Sequence, residues 1–366
     1  MKIAIDISQV VYGTGVAVYT KNLVENLLKI DKENEYLLFG GTFRRKGDIQ
    51  SIFPTAKVLP IPPTLADFLW NRLHILPIEK LIGEVDVFHS SDWSQPPTKA
   101  FRVTTIHDLA PLLYPSLFPK DIIRNIIQVH RRRLSWVKTE VDRIISPSVA
   151  TKNDLVKLGL DGNKVRVIPE APSEIFRPVP EEKIENLKRK YKISGKYLLA
   201  VGVDHRKNAE RILKAFELVQ AGKDLKIVFV GLPKYMNIKE GRNVRIAGYV
   251  PFDDLPIFYS GAEALVYPSL YEGFGSPILE AFASHCPVVT SNLSSMPEVA
   301  GDAAILVDPY NVASIAEGIE KALRGRKGLI EKGLKRVKQF SWLKTATETL
   351  KIYREATSSA CQEAKG

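Results

Sequence analysis

Cysteine is almost missing from this chain: Cys286 and Cys361 are the only two in 366 residues. That excludes a disulfide scaffold and a cysteine-built zinc site, and it fits a reducing compartment. Long apolar runs are missing too; none approaches the ~18 residues that a membrane span needs. Met1-Lys2 leads straight into Ile3-Ala4-Ile5-Asp6, which reads as a first strand. No charged start, long apolar core and small-residue cleavage site are laid out there, so a secretory leader is not expected and a cytoplasmic location is. Zinc-finger spacing and an aromatic-basic RNA-binding strand are absent, so nucleic acid is not an expected partner. The 23 prolines and 23 glycines are dispersed, so no low-complexity linker stands out. No distinct Asp-x-Asp lies beside a candidate site, and neither a metal nor another cofactor is expected.

What is present is an excess of positive charge, +11. Nucleic acid, anionic lipid and phosphorylated substrates are the partners such a charge fits. With nucleic-acid signatures missing, lipid and phosphate remain. Short apolar runs alternate with helical patterns along the whole chain. Residues 85–89, 103–107 and 143–146 read as strands in the first half; 197–202, 226–231, 244–247, 264–267, 288–291 and 304–307 do so in the second. Such alternation predicts parallel sheets covered on both faces, and two series predict two doubly wound α/β domains. Prolines at 169, 172, 178 and 180 mark the break. The expected domains are 1–172 and 173–342.

The densest chemistry lies in Tyr271-Glu272-Gly273-Phe274-Gly275-Ser276-Pro277-Ile278-Leu279-Glu280. It follows a strand and enters a helix over 277–285, with Ser276 as its expected N-cap. Gly273 and Gly275 allow close backbone approach, and a helix start behind them attracts an anion. Glu272 and Glu280 flank the loop and suit sugar and ribose hydroxyls. A capped turn with two solvated glutamates is the plainer alternative. Arg206 and Lys207, in Gly202-Val203-Asp204-His205-Arg206-Lys207-Asn208, stand at the mouth of a helix whose dipole opposes cations. A diphosphate would explain them; so would a solvated basic loop. Gly13 and Gly15, in Gly13-Thr14-Gly15, open a helical run and are read either as a phosphate loop or as a tight turn. They lack dinucleotide spacing, so a nicotinamide site is not indicated. His107 ends a strand, where ligands gather in parallel sheets; a packing histidine is the alternative. Residues 118–138 read as a basic amphipathic helix carrying Ile122, Ile123, Arg131, Arg132 and Arg133. It either lies peripherally on anionic lipid or packs on the sheet with its arginines solvated.

The Glu-x-Phe-Gly pattern with a second glutamate eight positions on, from Glu272 to Glu280, resembles the donor site of retaining GT-B glycosyltransferases of family 4. The likeness extends over nearly the whole chain. It implies two Rossmann-like domains facing a cleft, with residues 343–366 crossing back as a helix onto the first domain. It implies a nucleotide-sugar donor on the second domain and a saccharide or lipid-linked acceptor on the first. Arg206 and Lys207 match the family's donor-phosphate pair, although Val203 stands where many relatives carry another arginine. The donor site implied comprises Gly13, Gly15, Arg206, Lys207, Tyr249, Val250, Glu272, Gly273, Phe274, Gly275 and Glu280. Tyr249 and Val250 match the backbone that meets the base, and Tyr249 is equally readable as a packed aromatic. His107, Glu272 and Lys207 are the implied catalytic residues. The leaving diphosphate would deprotonate the acceptor on the same face, with retention and without metal. The forms around His107 and Arg206 look most like mannosyl- and rhamnosyl-type enzymes of cell-surface polysaccharide synthesis, which favours mannose from GDP-mannose over UDP-sugars. A UDP-sugar epimerase and a non-catalytic subunit of the same fold are the alternatives.

Overall fold

The computed structural model describes residues 1–220, 224–233, 236 and 238–363, with the backbone alone for 122 and 358–363. The side chains of Ile122 and Cys361, and residues 364–366 of the expected crossing segment, lie outside that set. The chain divides into two compact units. Unit 1 comprises Met1–Pro115, Lys120–Glu170 and Trp342–Gly366; unit 2 comprises Ser116–Pro119 and Ala171–Ser341.

Unit 1 holds a seven-stranded sheet built from β1 (Lys2–Asp6), β2 (Glu35–Gly41), β3 (Lys57–Leu59), β4 (Val87–Ser90), β5 (Phe101–Thr105), β6 (Arg143–Ser146) and β7 (Val165–Val167). Their order is β3-β2-β1-β4-β5-β6-β7, and every pairing is parallel. Strands β2, β3 and β7 escaped the sequence reading. β3 and β7 are three-residue edge strands, too short to show a period, and β2 mixes a polar start with a buried end. The helix Trp342–Glu363 belongs to unit 1 although the chain before it belongs to unit 2. It packs along the first helix, Gly15–Ile30. Tyr353 Oη lies 2.6 Å from His89 Nδ1, and the Thr345 hydroxyl donates to the Pro169 carbonyl at 2.7 Å. His89 is a packing histidine: it is buried between that tyrosine and Thr105.

Unit 2 holds six parallel strands in the order β10-β9-β8-β11-β12-β13: β8 (Lys196–Val201), β9 (Leu225–Val230), β10 (Val244–Gly248), β11 (Ala264–Tyr267), β12 (Val288–Ser291) and β13 (Ile305–Val307). β8 shows why helices cover both faces. Tyr197 and Leu199 enter one hydrophobic cluster, Leu198 and Ala200 the opposite one, and all four are fully buried. Side chains alternate across a strand, so a strand apolar at every position needs a helical layer on each side. Each such leucine buried contributes about 1.5–3 kcal/mol.

Both sheets reverse direction of growth once, between β1 and β4 in unit 1 and between β8 and β11 in unit 2. The loops leaving those strands diverge and open a crevice at the carboxyl ends.

Two expectations need correction. The helix after the glycine loop is Ser276–Ala283, and its N-cap is Gly275 at φ 101, so Ser276 is the first helical residue. The left-handed φ decides this, because only glycine takes it without strain. Glu280 accordingly falls in the second turn. The basic helix runs Lys120–Glu140, and its three arginines do not share one fate. Arg133 is 1% exposed, Arg132 pairs with Asp67 at 2.5 Å, and Arg131 is exposed. Successive helical residues are about 100° apart, so adjacent arginines cannot face one surface together.

Candidate active site

In unit 2 the loop after β8 carries Arg206 and Lys207, and the loop after β11 carries Glu272. Strand adjacency brings them together across more than sixty residues of sequence. Lys207 Nζ donates to Glu272 Oε1 at 2.7 Å, and Arg206 Nη1 to Oε2 at 2.5 Å. Lys207 also donates to the Tyr267 hydroxyl and lies 4.6 Å from the centre of that ring. Tyr267, read only as part of a strand, therefore belongs to the site. Backbone bonds tie the two loops: Leu270 N–H donates to the Arg206 carbonyl at 2.9 Å. Asn208, buried, donates to the Pro268 carbonyl at 3.0 Å and to the Pro309 carbonyl at 2.6 Å. Ser295 holds the glutamate loop from the other side, its hydroxyl lying 2.9 and 2.8 Å from the carbonyls of Glu272 and Phe274 and donating its one proton between them. Gly202 makes the arrangement possible. Its φ is 84, and a Cβ there would stand 2.8 Å from Lys207 Cγ.

The cluster sets two cations against one carboxylate. Burial alone would raise the Glu272 carboxyl, but Arg206 and then Lys207 hold it down at about 2. The Lys207 ammonium is pushed down by burial, although Glu272 draws it up. One carboxylate is thus shared by two cations, and the ammonium gains too little from it to offset its desolvation. A bound anion would supply the balance.

The remaining predicted donor residues are all in unit 2 except the two glycines. Gly275 caps the helix Ser276–Ala283. Phe274 is buried in the core, edge-on to Phe340 at 6.1 Å, so it anchors the loop. Gly273 is buried between them in sequence. Glu280 Oε2 accepts from the Tyr259 hydroxyl at 2.8 Å, which fixes its orientation. Tyr249 is 78% exposed, which removes the packed-aromatic alternative. The Val250 side chain is buried in the core, so only its backbone is available to a ligand.

Gly13, Gly15 and His107 lie in unit 1. Gly13 takes φ 62, and Thr14 caps the first helix, accepting from the Ala17 N–H at 3.4 Å. A Cβ on Gly15, the first helical residue, would meet nothing within 4 Å. One turn on, Tyr19 presents its ring edge-on to His107 at 4.5 Å. His107 is 8% exposed and lies two residues beyond β5. Asp92, which follows β4, is a residue that the sequence patterns do not single out; it pairs at 3.4 Å with Arg133, which the sequence places only on the basic helix. Glu170, beside the Pro169 that marks the break, is not singled out either. Nothing in single-element periodicity marks these two acids or the burial of Arg133. Among the described residues, no group of three or more His, Cys, Asp or Glu is placed to hold a metal.

The model for the family described as Glycosyltransferase Family 4 matches residues 13–171, and that for Glycosyl transferases group 1 matches residues 183–338. The chain is 30% identical to the O-antigen chain mannosyltransferase B of Escherichia coli over 285 residues, covering 73% of this chain and 74% of that protein. The chain belongs to glycosyltransferase family 4. This family 4 chain is also 29% identical to the O-antigen chain mannosyltransferase RfbU of Salmonella typhimurium, over 60% of each. Its fold is similar to that of a sucrose-phosphate synthase from Thermosynechococcus elongatus, with a TM-score of 0.76 over 98% of this chain and all of that one, at 19% identity. The GT-B architecture of two Rossmann-like domains is thereby shown, and the protein is a glycosyltransferase. None of the relatives named here is described as an epimerase or a non-catalytic subunit.

Proposed function

We propose that this glycosyltransferase moves mannose from GDP-mannose to a saccharide or lipid-linked saccharide, with retention and without a metal. The observation that carries the reading is the Arg206–Lys207–Glu272 cluster at the crevice of unit 2. Its two cations would take the diphosphate and stabilise the charge that develops as the sugar leaves. Glu272, ionised at any physiological pH, would hold those cations and orient sugar hydroxyls. Glu280 would hold the ribose, and the exposed Tyr249 with the Val250 backbone would meet the base. The names of the two O-antigen relatives support mannose and a cell-surface polysaccharide acceptor. Lys120, Arg124, Arg131 and Lys138, the exposed cations of the basic helix, are the proposed contact with an anionic membrane face. No helix among the described residues is long and apolar enough to cross a membrane.

Calorimetry with GDP, UDP and ADP tests the base; GDP should bind most tightly. Incubation of GDP-mannose with acceptor glycans in EDTA should then release GDP and form an α-linkage, read by NMR. Tighter binding of UDP, or loss of transfer in EDTA, would overturn the donor or the metal-free scheme respectively.

A further inference from the structure

The crevice of unit 1 contains a histidine held by one ring nitrogen and unanswered at the other. His107 Nδ1 lies 3.2 Å from Glu170 Oε1. Glu170 follows β7 by three residues and is itself 8% exposed. The Tyr19 ring walls the imidazole at 4.5 Å. His107 Nε2 is buried and makes no hydrogen bond. An orphaned buried nitrogen costs stability, and such groups mark places completed by a ligand or water. The elements around the ring bring two kinds of charge to it. Glu170 after β7, Asp92 after β4 and the neighbouring Asp108 are acidic; His89 on β4 and Arg133 on the basic helix are basic. Burial would push the His107 imidazole down, but Glu170 first, then Asp92 and Asp108, carry it above the ordinary value. His89, by contrast, is pushed down to about 3 by burial and by the positive charge of His107 and Arg133. His89 therefore stays neutral while its neighbour titrates.

We propose that Glu170 is a positioning residue for sugar transfer: by accepting the Nδ1 hydrogen it locks the His107 ring and leaves Nε2 as the atom offered to a substrate oxygen. In the imidazolium form Nε2–H donates to that oxygen, a hydroxyl or a developing anion. In the neutral form Nδ1 keeps its proton and Nε2 accepts, so Glu170 fixes the tautomer as well as the tilt. The positive ring and the carboxylate cancel, which makes the charged form tolerable in a buried place. The proposal rests on the reading that this crevice takes part in transfer.

Two variants and two readouts test it. Glu170→Gln keeps an acceptor oxygen and removes the charge; Glu170→Asp keeps the charge on a shorter arm. With 15N-labelled histidine, and His107→Asn for assignment, wild type should show Nδ1 protonated and a midpoint above the ~6.5 of free histidine. Glu170→Gln should lower that midpoint by about one unit and move the alkaline limb of kcat down with it. Glu170→Asp should leave the midpoint closer to wild type yet lower kcat by about tenfold through misplacement of Nε2. GDP affinity should be unchanged in both. A His107 midpoint and pH profile that ignore the Gln substitution would reduce Glu170 to a brace between two loops and overturn the proposal. The NMR arm needs no substrate. An intact dyad in a wild-type protein that transfers no sugar would instead overturn the functional reading.

Discussion

The two crevices occupy the same topological place and carry opposite charge. In unit 2, the loops after β8 and β11 present two cations gripped by one glutamate, ahead of a glycine-capped helix. In unit 1, Asp6 at the end of β1 and Asp92 and Glu170 in the loops after β4 and β7 are the acids, while Arg133, paired with Asp92, is buried. The backbone scaffold is shared; the loop chemistry is not. A cationic crevice suits a diphosphate, and an acidic one suits neutral hydroxyls, which donate to carboxylates. A doubly wound sheet decides where a ligand sits and leaves to a few loop residues what that ligand is.

The largest test of this comparison is Glu272→Gln. The amide cannot balance two cations, so transfer should fall by at least a hundredfold. Stability should fall by about 2–3 kcal/mol, less than the 3–5 of a wholly buried pair because Arg206 and Lys207 retain some solvent. Calorimetric unfolding and a transfer assay read both effects; transfer within a few-fold of wild type in the folded variant would break the assigned role. Next come Arg206→Ala and Lys207→Ala, each expected to weaken GDP binding by about 1.5–3 kcal/mol, the range for a hydrogen bond to a charged group. Asp92→Asn should leave GDP binding intact while destabilising unit 1 around Arg133. Equal loss of nucleotide affinity in all three would dissolve the contrast between the crevices.

Acid sharpens the comparison through opposite signs. Glu272 is held at about 2, so its contribution is present above the ordinary carboxylate range and is lost as pH falls through about 2. Asp6 is raised, by burial against its bonds from Ser8 and Ser91, so it binds its proton more readily folded than unfolded. Its contribution is full below the unfolded pKa and is lost as pH rises through the folded one. Trp70, Trp93, Trp136 and Trp342 all lie in unit 1, so tryptophan fluorescence reports that unit. On acid titration, GDP binding should fail before the tryptophan signal changes, and Asp6→Asn should remove the acid-side gain. The smallest effect concerns lipid. Arg131→Glu should weaken binding to anionic vesicles by about 1–2 kcal/mol without altering the fold. Reversing Arg133 instead should unfold unit 1, because that guanidinium is enclosed with Asp92 and Thr104.

The strands that carry the unit 2 site were legible because each is a continuous apolar run between turn residues: β8, β11 and β12 fall within a residue of their predicted bounds. The short edge strands β3 and β7 were not, since three residues hold no period. Among site residues, Arg206, Lys207, Glu272 and Gly275 could be picked out by residue type beside a strand end. Their mutual pairing could not, nor could the exposure of Tyr249 against the burial of adjacent Val250.

The amino-acid sequence by itself determined the two doubly wound units and which loops carry charge, because apolar periodicity and turn chemistry act within one element at a time. Tertiary structure alone decided that Glu272 clasps both cations, that Arg133 is buried while Arg131 is not, and that Glu170 meets His107. Those outcomes depend on which strand ends become neighbours. A proximity between residues sixty or more positions apart is created by sheet order, and no local pattern in the chain encodes it.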